Sequence, residues 1–447
     1  MEPASAKRGW RGRLDRSRLL PVVAGGLAVT VVVLAGFTVG VITGTSLDAG
    51  RPPATVGPAD PEPGARLERQ LGEPGRTAAY SFGHTVDRVQ TDSSGRFEAG
   101  MRLPFELAVD ATAFRVHVSN GEFDAEEDFD SPVSLTGVWL GEHLVSGAEG
   151  MTGRFAGPAV QLAGTLNLPA GGAASEWVEA DTAALQTGVP YLLALGFTTP
   201  AATTLGTVPG LSWLSTGSGS AAAAGDESAT PPRSPALSYL DVWIEYRFTG
   251  DAPVLFAVGH SLNAPGSNRT DAHPTRGEST AWPQQWAQAN AGVAVSLAAP
   301  GSLTSLFARG TEVWREYEDA TGLSPDVVTI WAASNDIARG RPLADIQRDW
   351  GAVVNRVRTL WPEAQVVAMT EPPRRLDAER ESVRVAWNAW LATAPYGVDR
   401  VIDADGLLRD PLDPSRLRAE VDADGIHFTE LGHSLLASQL AAPRSSS

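Results

Sequence analysis

The chain runs to 447 residues, 43% of them hydrophobic, with 52 acidic against 35 basic side chains and a net charge of −17. Such a length permits two or three domains, and so acidic a chain is a poor partner for nucleic acid. There is no cysteine, which excludes disulfides, thiolate metal sites and a Cys nucleophile.

Residues 1–18 form a basic tail, with Lys7, Arg8, Arg11, Arg13, Arg16 and Arg18. An uncharged run rich in Val, Leu, Ala and Gly fills 19–46. It exceeds the roughly 20 residues that span a bilayer and the roughly 7–15 of a signal-peptide core. No Ala-x-Ala follows it, so an uncleaved transmembrane anchor is expected rather than an export signal. The positive flank then keeps the N-terminus in the cytoplasm and everything after Ser46 outside the cell membrane. Residues 47–75 carry Pro52, Pro53, Pro58, Pro61, Pro63 and Pro74, and read as an extended tether.

Residues 76–250 read as an all-β sandwich. Strands are predicted at 101–107, 114–118, 134–140, 160–168, 191–197 and 239–248, separated by turn formers and with little helical periodicity. Within them, 215–236 is rich in Gly, Ser, Ala and Pro and reads as a disordered loop. The acidic run from Asp124 to Asp130 reads as a solvated loop rather than a calcium site.

From 251 to 443 strands and helices alternate, as in a doubly wound, flavodoxin-like α/β domain. Strands at 252–259, 293–297, 327–331, 365–370 and 399–402 are interleaved with helices at 302–320, 343–360, 378–392 and 429–441. Such folds bind ligands outside the C-terminal strand ends. The first strand runs into Gly259-His260-Ser261, the second into Ala298-Ala299-Pro300-Gly301, and the third into Ala332-Ala333-Ser334-Asn335-Asp336. Arg269, Arg374 and Arg375 also follow strand ends. Near the C-terminus, Asp424-Gly425-Ile426-His427 sets a carboxylate three residues before an imidazole. An Asp so placed can fix the tautomer of a catalytic His and stabilise its imidazolium. Asp403-Ala404-Asp405-Gly406 repeats the tetrapeptide Asp422-Ala423-Asp424-Gly425 without a His behind it, and reads as a plain turn. His433 is a rival base without an Asp three positions earlier, and reads as a helix-packing residue. The Trp residues 282, 286, 331, 350, 361, 387 and 390 read mostly as core.

The order and spacing of Ser261, Gly301, Asn335 and His427 resemble the SGNH (GDSL-like) hydrolases, a family named for those four residue types, with an Asp three before the His. The resemblance covers 251–443. It implies a nucleophile (Ser261), a general base (His427), its orienting carboxylate (Asp424), and an oxyanion hole from Ser261 N–H, Gly301 N–H and the Asn335 amide. Gly292 competes with Gly301 but precedes its strand, whereas the oxyanion Gly should follow one. The sequence departs from the family at two places. His260 replaces the usual Asp of Gly-Asp-Ser, where it could loosen the nucleophile loop or titrate beside Ser261. Ala333 replaces the Gly of Gly-x-Asn-Asp. The stretch 114–120 is similar to a β-domain found ahead of the hydrolase in some bacterial members, implying an accessory sandwich that faces carbohydrate.

The expected protein is a membrane-anchored, extracellular serine esterase acting on short acyl or O-acetyl esters, small or glycan-borne. It needs no cofactor and no metal. Two alternatives share the sequence. One is an O-acyltransferase using the same triad, the other a non-catalytic glycan-binding surface protein with a decayed site.

Overall fold

The computed structural model describes residues 75–441, apart from 93, 122, 124–128, 130–131, 147–149, 170, 235–236, 264–279, 310–312, 315–316 and 318–321. The basic tail, the run 19–46 and nearly all of the tether therefore lie outside the described residues, as do Arg269 and all of the acidic run but Phe129. Among the described residues, no helix is long and apolar enough to cross a membrane.

The N-terminal part is built from β1 (Arg76–Ser81), β2 (Phe97–Phe105), β3 (Ala113–Ser119), β4 (Val133–Ser146), β5 (Tyr191–Thr199), β6 (Ser212–Thr216) and β7 (Asp241–Phe248), with shorter strands between them. One antiparallel sheet runs β1–β7–β3, and a second runs β6–β2–β5–β4. Period-two alternation explains their packing. Met101, Leu103 and Phe105 of β2 meet Phe114 and Val116 of β3 in one core, while Leu192 and Ala194 of β5 face a second cluster with Trp213. The predicted strand at 160–168 is broken into Val160–Ala163 and Leu166–Leu168, both paired with β4.

Of the stretch 215–236, expected to be disordered, the described residues 215–234 are held on the sheet by close packing and one buried cation. A Cβ at Gly100 would lie 2.2 Å from Ser220 O, and one at Gly196 would lie 2.0 Å from Ala221 O. The small residues thus let the short helix Ser220–Ala223 sit directly on β2 and β5. Arg102, fully buried, donates from Nε to Ala224 O (3.0 Å) and from Nη1 to Gly153 O (2.8 Å) and Ala229 O (3.1 Å). Desolvation pulls its pKa down to about 10, so the cation persists at neutral pH.

The C-terminal part holds five parallel strands: β8 (Val254–Gly259), β9 (Val293–Ala298), β10 (Val327–Trp331), β11 (Gln365–Met369) and β12 (Arg400–Ile402), in the order β9–β8–β10–β11–β12. Both faces are covered, which is why these strands read as unbroken apolar runs. On one face Val254, Phe256 and Val258 join Trp350 and Val354 of α4 (Leu343–Leu360) and Trp387 of α5 (Ala378–Leu391). On the other, Leu255 and Ala257 join Trp282 and Trp286 of α1 (Trp282–Asn290) and Leu436 of α6 (Glu430–Ala437). Between them, α2 (Thr304–Arg309) and α3 (Ser334–Ala338) begin just beyond β9 and β10. Trp282, Trp286, Trp331, Trp350 and Trp387 are buried, and Trp361 and Trp390 pack against the core in part.

The two parts share one core, in which Tyr80, Tyr246 and Phe248 lie with Val254, Phe256 and Val293. Arg76 of β1 donates to Ala252 O (2.8 Å), Ser324 O (2.8 Å) and Asp326 Oδ2 (3.1 Å), and the same Asp326 oxygen accepts the Val254 N–H at 2.7 Å.

Arg102 satisfies several buried carbonyls at once, and a buried acceptor left bare costs about 1–3 kcal/mol. Arg102→Met is expected to lower the unfolding free energy by at least about 2 kcal/mol and to open 217–232 to proteolysis. Urea unfolding with limited proteolysis checks both. A variant of unchanged stability and protease resistance would show that packing alone holds the stretch.

Candidate active site

Ser261 emerges at the C-terminal end of β8, where the chain turns sharply. A Cβ at Gly259 would lie 2.0 Å from Trp331 O and 2.7 Å from Asn263 Nδ2, so only glycine lets β8 pass β10 this closely. Asn263 staples the turn, donating to Val258 O (3.0 Å) and accepting from Trp282 Nε1 (2.9 Å). Ser261 Oγ then stands 2.9 Å from His427 Nε2.

His427 comes from a loop that closes on itself ahead of α6. Asp424 Oδ1 accepts the N–H groups of Ile426 (3.0 Å) and His427 (2.8 Å), and its Oδ2 lies 2.8 Å from His427 Nδ1. Asp422 accepts the Gly425 N–H and is paired with Arg375. Gly425 has φ +91°, and a Cβ there would meet the Arg375 guanidinium at 2.7 Å. Thr429 caps α6 and donates to Glu420 O at 2.8 Å. Partial burial works to raise the Asp424 pKa, but the ring and backbone bonds from His427 and Ile426 hold it below the usual carboxylate range. An ionised Asp424 accepts a hydrogen bond from Nδ1–H, which fixes the tautomer that leaves the Nε2 lone pair facing the Ser261 hydroxyl.

The other two blocks meet at the same edge. Gly301, with φ +79°, follows β9, and Asn335 lies in the first turn of α3. Asn335 Nδ2 donates to Ser302 O (3.0 Å), and Ser302 Oγ donates to Gly259 O (3.2 Å), which ties all three strand-end loops together. Asp336 accepts from Thr304 N (2.9 Å) and Oγ1 (3.0 Å) and is paired with Arg341. Gly292 lies at the opposite end of the sheet, where a Cβ would sit 2.7 Å from Pro253 O. The structure therefore gathers Ser261, Gly301, Asn335, Asp424 and His427, and leaves Gly292 out.

Residues 257–435 match the GDSL-like lipase/acylhydrolase family. That stretch forms a domain of this family. Among solved structures, it is similar to a family two carbohydrate esterase from Cellvibrio japonicus (9% identity over 81% of this chain and 96% of that one, TM-score 0.32). It is also similar to a member of the lipolytic G-D-S-L family from Veillonella parvula (18%, over 42% and 96%, TM-score 0.33) and to a psychrotrophic esterase from Pseudoalteromonas sp. (14%, over 42% and 93%, TM-score 0.30). Scores that low carry no inference, so the assignment rests on the family match and the residues themselves. No curated protein matches the chain.

Both departures from the GDSL-like pattern have a structural account. His260 is 1% exposed and turned into the floor of the sheet edge; its Nδ1 accepts from Leu262 N (3.4 Å), and its Nε2 lies 3.6 Å from Glu371 Oε2. Glu371, also 1% exposed, accepts the Ala333 N–H on Oε1 at 2.9 Å. Ala333 has φ −91° and ψ −15°, a conformation that does not call for glycine. Sequence reading missed Glu371, for a lone Glu after a strand carries no motif.

The rival base is excluded by burial. His433 is 1% exposed, and its Nδ1 accepts from Trp282 N at 3.2 Å. Desolvation, with nearby His427, pushes its pKa down to about 3. Asp403, expected in a plain turn, instead caps the short helix Ala404–Leu408 by accepting from Gly406 N (2.9 Å).

His143 of the β-part is depressed in the same way, to about 4, by desolvation and then by Arg102. Both rings are neutral when folded and protonate near their ordinary 6.5 when unfolded. The unfolded chain therefore binds more protons below pH 6.5, and stability should fall with acid by up to about 1.4 kcal/mol per pH unit for each ring. A urea midpoint that stayed constant from pH 7 to 5 would contradict this neutral burial.

Restoring the family's Asp by His260→Asp would set a second carboxylate beside buried Glu371. The expected cost is on the order of 3–5 kcal/mol, largely regained by adding Glu371→Gln. Urea unfolding of the two variants checks it, and a fully stable single variant would show that the pair does not support the loop.

Proposed function

We propose that the protein is a membrane-anchored serine esterase of the extracytoplasmic surface, cleaving short acyl esters such as O-acetyl groups on glycans. The observation that carries the chemistry is the 2.9 Å contact between Ser261 Oγ and His427 Nε2, with Asp424 2.8 Å behind the ring.

Ser261 Oγ attacks the ester carbonyl as His427 Nε2 takes its proton, and Asp424 stabilises the imidazolium. The N–H groups of Ser261 and Gly301 and the second Asn335 Nδ2 hydrogen receive the tetrahedral oxyanion. The C–O bond then breaks, His427 returns its proton to the leaving alkoxide, and Ser261 keeps the acyl group. Water, deprotonated by His427, releases the acid by the same steps. The location rests on the basic tail and the apolar run 19–46. The glycan substrate rests on that location and on the resemblance of 114–120 to an accessory β-domain.

The test is hydrolysis of p-nitrophenyl acetate and butyrate by the full chain. Ser261→Ala and His427→Ala should fall to background, and Asn335→Ala should lose about 10²–10³ in kcat. A membrane-impermeant fluorophosphonate should label Ser261 on intact cells. Wild-type chain with neither turnover nor labelling would overturn the esterase, and labelling only after lysis would overturn the location.

A further inference from the structure

Asn335 is an oxyanion donor only if its amide presents nitrogen, not oxygen, to the substrate. Side-chain amides can sit either way round, and their neighbours decide which. Here one neighbour is Ser302 O, an acceptor, 3.0 Å from Nδ2. The other is Arg374 Nη1, 3.0 Å from Asn335 Oδ1 and 3.0 Å from Ser334 Oγ. A guanidinium can only donate. Turning the amide over would set NH₂ against Nη1–H and Oδ1 against a carbonyl.

Arg374 is itself rigidly based. It follows buried Pro372 and Pro373, whose rings fix φ. Ahead of them, Glu371 N donates to Asn388 Oδ1 (2.8 Å), and Glu371 O accepts from Asn388 Nδ2 (2.9 Å) and Arg384 Nη1 (2.7 Å). Arg384 is 2% exposed and anchored by Glu381 and Asp405. The Arg374 guanidinium is withdrawn enough from solvent that desolvation lowers its pKa, although Glu371 and Asp424 act against the shift.

We propose that Arg374 is a positioning residue of the oxyanion site, locking the Asn335 amide so that its second Nδ2 hydrogen faces the developing oxyanion. A charge-assisted bond to Oδ1 also polarises the amide and strengthens Nδ2 as a donor. This rests on the esterase reading. Residue and partner stand on different strand-end loops, so the lock acts only when the sheet edge is assembled.

The experiment measures kcat and KM on p-nitrophenyl acetate for the full-length wild type, Arg374→Met, Arg374→Lys, Asn335→Ala and the double variant Asn335→Ala/Arg374→Met. Arg374→Met should lower kcat at least about tenfold, less than the about 10²–10³ of losing the donor itself, with KM within about twofold. In the Asn335→Ala background the same change should cost little more, because the lock then holds nothing. Arg374→Lys keeps the charge but not the planar fork, and should keep part of the activity; it also serves if the Met variant fails to fold. Wild-type kcat in both Arg374 variants, or an equal loss with and without Asn335, would overturn the proposal. A wild type without turnover would instead overturn the esterase reading.

Discussion

One hydrogen bond, from Ser261 Oγ to His427 Nε2, joins residues 166 positions apart, and the architecture is organised around keeping its ends 2.9 Å from each other. The serine end is set by the sheet: β8 lies between β9 and β10, and Gly259 passes the Trp331 carbonyl too closely for any side chain. The histidine end is set by the packing of α6. His433 accepts from the first N–H of α1, Trp286 Nε1 donates to Leu440 O (2.7 Å), and Phe428 stacks on Trp331 at 5.9 Å. Both ends thus lean on the same face of the same sheet. A neutral, buried His433 is part of the brace for the loop that carries His427.

The site was largely legible because its chemistry is local or sits at strand ends. Asp-x-x-His needs only one loop, and a strand ending in Gly announces itself by its apolar run. What stayed hidden is what those residues rest on. Glu371 supports His260 and the Ala333 N–H from another strand, and no spacing rule links them. Arg374 could be placed at the rim, but its bonds to Ser334 and Asn335 needed the structure. The β-part was read less well. Short strands such as β1 and β6 carry little periodicity, and 215–236 was misread for a physical reason. Gly, Ala and Ser mark both chains that cannot pack and chains that pack backbone to backbone. The difference lay in its distant partners: Gly100, Gly196 and Arg102.

The β-part is continuous with the hydrolase rather than tethered to it. Arg76 of β1 and Val254 at the start of β8 share the carboxylate of Asp326. On the sheet's edge strand β9, Ser296 O accepts from Tyr317 OH at 3.1 Å, and the same hydroxyl lies 3.3 Å from His84 Nε2 of the β-part. Edge strands expose backbone groups that other chains can pair with. Here the β-part supplies apolar cover beside that edge, with Tyr80 and Phe248 in one core with Val293 and Val295. The registry of β8 is thereby braced at the end away from Ser261, leaving the C-terminal edge to the loops.

That division also bears on the two departures from the GDSL-like pattern. A decaying site would be expected to carry replacements without partners. His260 instead faces a carboxylate, and the Ala333 N–H reaches the same carboxyl group in a backbone conformation alanine adopts freely. At 3.6 Å the His260–Glu371 contact is too long for a good hydrogen bond. His260 Nε2 and Glu371 Oε2 are each buried without a hydrogen-bond partner among the described residues, so what they share is a close approach in a dry floor. The floor has changed its chemistry, while the triad above it keeps hydrogen-bonding geometry. Glu371 and Arg374 rise from one Glu-Pro-Pro-Arg segment, so one short rigid stretch lies against His260 and the Ala333 N–H and holds the Asn335 amide from the side.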